Sequence, residues 1–330
     1  MTLFDLAHQF YRRNVRPRLP SSVHRLLLRL LFMLSRLYLV IFDCLHSEYS
    51  FWRVKAWPTK LLGPQYRRSR DDIEINITYA CNLRCYNCNR SCGEAPTGMQ
   101  MTVDQIQYFI KESVAARYCW NRIAIIGGEP TTHRQLFEIV DLLREYRDLY
   151  SPHTSIEVWT NGYGANANRV ISQLPLDVVI INDKKDPAVK AVPTFVSFNV
   201  APGDLDEYGD ADFRNGCWIT EHCGMGLGPS GYYPCGIAPG MDRIFGWNVG
   251  LQSLPSRDDP MQGLLDRFCR NCGFFKRRSH ARGSTLEAPL GGPVSSSTWD
   301  RAYSEYRRQA PRLVQYGESG RSRTGSAASL

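Results

Sequence analysis

The stretch Cys81-Asn-Leu-Arg-Cys85-Tyr-Asn-Cys88 constrains this chain more than any other feature in it. Three thiolates separated by three and two residues can ligate three irons of a cubane from one loop. Iron–sulfur clusters ordinarily take four cysteines, so a set of three leaves one iron open to a substrate. The same spacing also suits a zinc knuckle completed by Cys92 or a distant residue. Eleven cysteines in 330 residues are many. Disulfide-rich secreted proteins and intracellular metalloproteins are the two classes with such content. The short spacings favour the second. The first long apolar stretch begins late and is broken by arginines, unlike a secretory signal. The expected compartment is the reducing cytoplasm.

The formal charge is +8, but the excess sits near the two ends, in Arg12, Arg13, Arg16, Arg18, Arg67, Arg68 and Arg70 and again in Arg307, Arg308, Arg312, Arg321 and Arg323. No RNA-binding signature accompanies it, so nucleic acid is not the expected partner. Residues 24–44 read as one helix. Arg25, Arg29, Arg36 and Asp43 fall on a narrow stripe of it, and the rest is Leu, Phe, Met, Val and Ile. The uninterrupted apolar runs are too short for a membrane span. Either this helix packs on the body of the protein, or it docks at a membrane surface or on a partner.

From residue 72 strands and helices alternate. Strands are predicted at 73–78, 122–126, 155–160, 177–181 and 195–200. Thr102 and Gln105 form a capping-box pattern opening a helix over 103–116, and further helices are expected at 134–147 and 165–173. Such alternation implies a parallel sheet or barrel with helices outside, its functional residues in the loops after the strands. Glycines 127 and 128 end the second strand, where they would let the backbone approach a ligand closely. Glu129 and the neighbouring carbonyls there suit a cationic amino group. Thr160-Asn161-Gly162 ends the third strand and Asn182 the fourth. His133 reads as a helix-start residue, and Cys44 and Cys119, in apolar contexts, as buried thiols.

CxxxCxxC after a strand, Gly127-Gly128-Glu129-Pro130 and Thr160-Asn161-Gly162, in this order, resemble the radical S-adenosylmethionine (radical SAM) superfamily over residues 70–205. The resemblance implies a partial (β/α)6 TIM-type barrel. It implies a [4Fe–4S] cluster on Cys81, Cys85 and Cys88, whose open iron chelates the methionine moiety of S-adenosylmethionine. Gly127, Gly128, Glu129, Pro130, Thr160, Asn161 and Asn182 become cofactor-binding positions. Two positions depart from the family. Asn87 stands where an aromatic residue usually precedes the third cysteine, and Asn182 where a serine is common.

Residues 206–290 lose the alternation and are rich in Gly, Cys and aromatic residues. Cys217, Cys235, Cys269 and Cys272 resemble the ligand order of the short auxiliary-cluster domain called Twitch, related to SPASM. This implies a second [4Fe–4S] cluster, with a zinc ribbon as the alternative. Cys223 is left over, either as a hydrogen-atom donor in catalysis or as a packed thiol or alternative ligand. The expected division is an N-terminal helical extension (1–69), the barrel (70–205), the auxiliary domain (206–290) and a polar, disordered tail (291–330). The resemblance implies a radical enzyme reduced by a flavodoxin or ferredoxin. It would oxidise or epimerise a small sugar- or cyclitol-like molecule. Peptide modification and a non-catalytic iron–sulfur or zinc protein remain open.

Overall fold

The computed structural model describes residues 21–85, 87–182, 198–275 and 294–318. These fall into two units. One contains the chain up to Trp52, and the other begins at Arg53 and holds the remaining described residues. The described part of the first unit is the helix α1, Ser21–Arg53, up to Trp52, and it contains the predicted 24–44 segment. Among the described residues no helix is long and apolar enough to cross a membrane.

The second unit is mixed α/β. Its order is α2 (Ala56–Leu62), β1 (Asp72–Thr78), α3 (Val103–Ala115), β2 (Arg122–Gly127), α4 (Leu136–Tyr150), β3 (Ser155–Thr160), α5 (Ala165–Ile171), β4 (Val179–Asn182), α6 (Trp218–His222), β5 (Met225–Gly228), β6 (Gly231–Tyr233), α7 (Ala238–Phe245), α8 (Gln262–Arg270) and α9 (Ser297–Arg308). The sheet runs β4-β3-β2-β1-β5-β6, parallel throughout except for β6 against β5. This largely parallel sheet is what the alternation implied, and it is consistent with the partial barrel implied by the resemblance.

Strand β1 explains how a barrel forms here. Ile73, Ile75 and Ile77 point to one face and pack with Ile106 and Phe109 of α3 and Ile139 and Leu143 of α4. Alternate residues of a strand face opposite sides. Glu74, Asn76 and Thr78 therefore occupy the other face, and they too are buried. The strand thus has a greasy outside and a polar inside. Helix α3 opens with the predicted capping box. The Gln105 amide donates to Thr102 Oγ1 (3.2 Å), and the Thr102 amide to Gln105 Oε1 (3.0 Å).

The structure differs from the sequence reading at several points. Residues 198–200 of the expected fifth strand form a turn, and 195–197 lie outside the described residues. The Phe198 carbonyl instead accepts from the Gly273 amide, and its ring meets Trp299 edge-on at 4.8 Å. The fifth strand is Met225–Gly228, inside the segment expected to be a separate domain. Pairing of Ile73 with Met225 and Ile75 with Leu227 joins that segment to the barrel sheet. Its Met-Gly-Leu-Gly sequence has little strand propensity, yet tight packing requires the glycine. A Cβ on Gly226 would lie 2.2 Å from the Cys235 carbonyl oxygen. The expected tail contains α9, whose Trp299, Ala302 and Tyr303 are buried; residues 319–330 lie outside the described residues. Residues 53–69 belong to the second unit rather than to a helical extension. Cys44 and Cys119 are exposed, not buried. Cys44 lies on α1, and Cys119 in the turn leading to β2.

Candidate active site

The three-cysteine loop leaves β1 and returns beside it. The Tyr79 amide donates to the Met99 carbonyl (2.9 Å) and the Met101 amide to the Ile77 carbonyl (2.8 Å). Residues 79–99 therefore form a closed excursion at the C-terminal end of the central strand. Tyr86 alone in it lies outside the described residues. The Ser91 amide donates to the Cys88 carbonyl (2.7 Å), and Asn87 and Ser91 both take left-handed backbone.

Two arginines fasten this loop from within. Arg90 donates through one terminal nitrogen to Glu74 Oε2 (2.8 Å) and through Nε to Asn76 Oδ1 (3.1 Å), both on the inner face of β1. Arg243 of α7 donates to the carbonyls of Arg90 (2.9 Å), Ser91 (3.3 Å) and Ala95 (2.8 Å). Its guanidinium also lies over the Tyr79 ring, 4.8 Å from the centroid. These residues were not singled out in the sequence. The available signal was the alternation of polar residues along a strand that is buried on both faces.

The Gly127–Glu129 segment packs against the start of the same loop. The Gly128 amide donates to the Thr78 carbonyl (2.7 Å) and the Glu129 amide to the Ala80 carbonyl (2.9 Å). Gly127 has φ of 146°, and a Cβ there would lie 2.1 Å from the Thr78 oxygen; one on Gly128 would lie 2.2 Å from the Ala80 oxygen. The close approach is to the protein's own backbone, next to Cys81. Pro130 opens a short 3-10 turn and is buried.

Glu129 is wholly buried. Its Oε1 accepts from the Thr131 amide (3.1 Å), Thr131 Oγ1 (2.7 Å) and Thr160 Oγ1 (2.7 Å), and its Oε2 from the Asn161 amide (2.7 Å). The carboxylate expected to receive an amino group is instead a brace between the ends of β2 and β3. Asn161 carries the brace onward. Its Nδ2 donates to Asn82 Oδ1 (2.8 Å) and lies 3.8 Å from Cys81 Sγ. Asn182 ends β4 in register with Thr160. The ends of β1, β2 and β3 thus meet beside the cysteine loop, with the end of β4 next to that of β3.

Cys81, Cys85 and Cys88 carry no disulfide. Metal binding requires thiolates. Burial pushes the Cys81 thiol up to about 11. The Cys92 thiol donates to Cys88 and holds it below its ordinary value, while Cys92 itself is pushed up. Cys92 thus supports a neighbouring donor. Among the described residues no three Cys, His, Asp or Glu side chains converge tightly enough for a single ion. Three thiols on one loop, none of them in a disulfide, with an Asn161 amide beside Cys81, form a donor set that fits a cluster with one open iron.

His133 is structural. Its Nε2 contacts the Met101 carbonyl (2.9 Å), and its Nδ1 accepts from the Gln135 amide (3.1 Å), which fixes the neutral ring. Burial holds it below its ordinary value of 6.5. The unfolded chain therefore binds a proton that the folded chain resists, and stability contributed here is lost as pH falls below about 6.5. Urea melts of the metal-free protein between pH 7.5 and 5.5 are expected to show this slope, and His133→Gln to flatten it.

The second cysteine group lies in one buried aromatic cluster. Cys217 and Cys272 pack there with Phe198, Tyr233, Phe268 and Trp299, and Cys223 and Cys235 pack against it. Cys269, buried, ends α8 beside Cys272. Burial pushes Cys235 up to about 12, with Cys217 a further charge nearby. Trp299 Nε1 donates to the Asn271 carbonyl (2.7 Å) between the last two cysteines. Cys223 precedes β5. Arg122, at the first residue of β2, donates to its carbonyl (2.9 Å). Cys223 therefore lies at the amino-terminal end of the parallel strands, whereas Cys81 follows their carboxyl ends. The two ends of β1 are about 20 Å apart at ~3.3 Å per residue. Burial pushes the Cys223 thiol up to about 12, followed by the charge of Glu74.

The family model described as the radical SAM superfamily matches residues 75–181. A probable GTP 3′,8-cyclase of Methanocella arvoryzae is 33% identical over 102 residues, covering 31% of this chain and 30% of that protein. One of Saccharolobus solfataricus is 30% identical over 101 residues, covering 30% of each. The chain thus matches about 30% of the length of these curated relatives. Among solved structures, BtrN in complex with AdoMet and 2-DOIA is 13% identical with a TM-score of 0.36, covering 66% of this chain and 95% of that one. Streptococcus suis SuiB bound to S-adenosylmethionine is 14% identical with a TM-score of 0.24, covering 37% and 26%.

Proposed function

We propose, from the premise that the chain belongs to the radical SAM superfamily through residues 75–181, that it oxidises a small sugar- or cyclitol-like molecule by radical chemistry. Membership brings a [4Fe–4S] cluster and S-adenosylmethionine as cofactors. Together these supply, when bound, a 5′-deoxyadenosyl radical that abstracts hydrogen from an unactivated C–H bond. The observation that carries the reading is the convergence at the strand ends, where Asn161 joins the Glu129 brace to Cys81.

The chain's own residues have distinct parts in this scheme. Cys81, Cys85 and Cys88 would hold the cluster. Arg90 and Arg243 fix the loop that carries them. The backbone of Gly127–Pro130, with Thr160, Asn161 and Asn182, lines the place of the methionine and ribose groups. Cys217, Cys235, Cys269 and Cys272 would hold an auxiliary cluster, which would supply an electron acceptor. The position of Cys223, beside Cys235 and at the opposite end of β1 from Cys81, supports oxidation over epimerisation by a thiol donor. The external reductant is a flavodoxin- or ferredoxin-like protein, and the setting is the cytoplasm.

The protein reconstituted anaerobically with iron and sulfide, then given dithionite and S-adenosylmethionine, is expected to release 5′-deoxyadenosine. The Cys81→Ala/Cys85→Ala/Cys88→Ala variant is expected to release none, yet to keep the iron of the second group. No 5′-deoxyadenosine above that variant's background sinks the radical reading. Loss of all iron from the variant sinks the auxiliary cluster, and zinc in place of iron after anaerobic purification favours a non-catalytic metal protein.

A further inference from the structure

Helix α1 carries an apolar face that the radical chemistry does not use. Leu30, Met33, Leu34, Leu37, Ile41 and Leu45 recur at helical spacing and are between 45% and 67% exposed. Together they form a continuous stripe over about four turns. Exposed stripes of this size on soluble proteins mark interaction surfaces. Arg29, also exposed, borders this stripe one helical turn before Met33. Near the far end Tyr49 and Trp52 stand with ring centroids 6.1 Å apart, both exposed. Tyr and Trp suit a boundary between water and an apolar phase.

Charge identifies the occupant. Between Leu6 and Phe42 the sequence holds seven arginines and no aspartate or glutamate. A second copy pairing through the same stripe would gather two such sets with no acid to neutralise them. An anionic lipid surface neutralises them and covers the apolar face at the same time. No described helix is long and apolar enough to cross the bilayer, so α1 would lie along it. We propose that α1 is an interfacial helix that seats the protein on an anionic membrane surface. Its leucine stripe would enter the acyl boundary, and its arginines would meet the lipid phosphates. An enzyme held this way would draw on substrates or reductants concentrated at the bilayer.

The test is co-sedimentation of the full-length reconstituted protein with extruded vesicles. The protein is expected to bind vesicles of mixed phosphatidylglycerol and phosphatidylcholine at least about tenfold more tightly than pure phosphatidylcholine, and binding should weaken with salt. Leu34→Glu/Ile41→Glu should reduce it to the phosphatidylcholine level, and Arg29→Glu should lower it partway. Both variants should keep their iron and their 5′-deoxyadenosine yield, which separates this outcome from failure of the radical reading. Failure to bind anionic vesicles overturns the proposal. So does unchanged binding of Leu34→Glu/Ile41→Glu. A lipid-free dimer, seen by sedimentation equilibrium and dissociated by the same pair of substitutions, would also overturn it and assign the face to a second copy.

Discussion

Arg90→Met is expected to destabilise the second unit by about 3–5 kcal/mol and to strip iron from the Cys81/Cys85/Cys88 loop. The Glu74–Arg90 pair is almost wholly buried, with side-chain exposures of 6% and 7% respectively. Burial pushes the Glu74 carboxyl up, and the Arg90 charge pulls it back. Removing Arg90 alone leaves a buried carboxyl without its counter-charge and leaves Asn76 Oδ1 without its donor. Breaking a buried pair in this way is costly, whereas replacing both members with apolar groups of similar volume is often neutral. Glu74→Leu/Arg90→Met should therefore regain most of the stability. It should not regain the iron, because Arg90 also ties the end of the cysteine loop to β1. Urea denaturation and iron content, measured side by side under anaerobic conditions, separate the two effects. Equal recovery of both in the double variant would mean that Arg90 acts through stability alone.

The part of this site legible in the sequence is the part held by local spacing. Cys81, Cys85 and Cys88 lie on one loop, so their spacing alone brings them near one another. The strands ending at Thr78, Gly127, Thr160 and Asn182 were legible because buried parallel strands are short apolar runs followed by turn residues. The role of Gly127 and Gly128 was not legible. Their need for a missing Cβ arises from Thr78 and Ala80, which only the pairing of β1 with β2 brings close. Strands β5 and β6 were hidden for a related reason. Their glycines weaken any strand signal, and contact with Ile73 and with Cys235 fixes their place. Arg243 lies far along the chain from the loop it holds, and no local pattern connects them. Cys223 shows the limit from the other side. Left over once four cysteines were assigned as ligands, it could be a hydrogen-atom donor or a packed thiol, and only the direction of β5 shows that it lies at the other end of the strands from Cys81.

Glu129→Ala is expected to abolish 5′-deoxyadenosine formation while leaving iron on the cysteine loop. The four groups that donate to the Glu129 carboxylate would all lose their acceptor inside a closed site. A buried donor left unmade costs about 1–3 kcal/mol, and the losses do not add fully, so a total near 3–5 kcal/mol is expected. Glu129→Gln is the finer probe. Three donors converge on Oε1 and one on Oε2, so the new amide is best placed facing the Asn161 N–H, where two donors oppose each other. The expected result is a partial loss of stability together with a displaced Asn161. Its side chain would no longer be held beside Cys81 and Asn82. If Glu129 serves the cofactor through Asn161, Glu129→Gln should weaken S-adenosylmethionine binding in a direct equilibrium assay with no change in iron content. Asn161→Ala should reproduce that weakening with a smaller loss of stability, because Asn161 accepts and donates at the surface of the brace, whereas Glu129 is its centre. Iron lost in step with stability in both variants would instead make the brace a support for the cysteine loop alone. Iron lost in Arg90→Met but kept in Glu129→Gln would separate a residue that fixes the cysteine loop from one that shapes the place beside it.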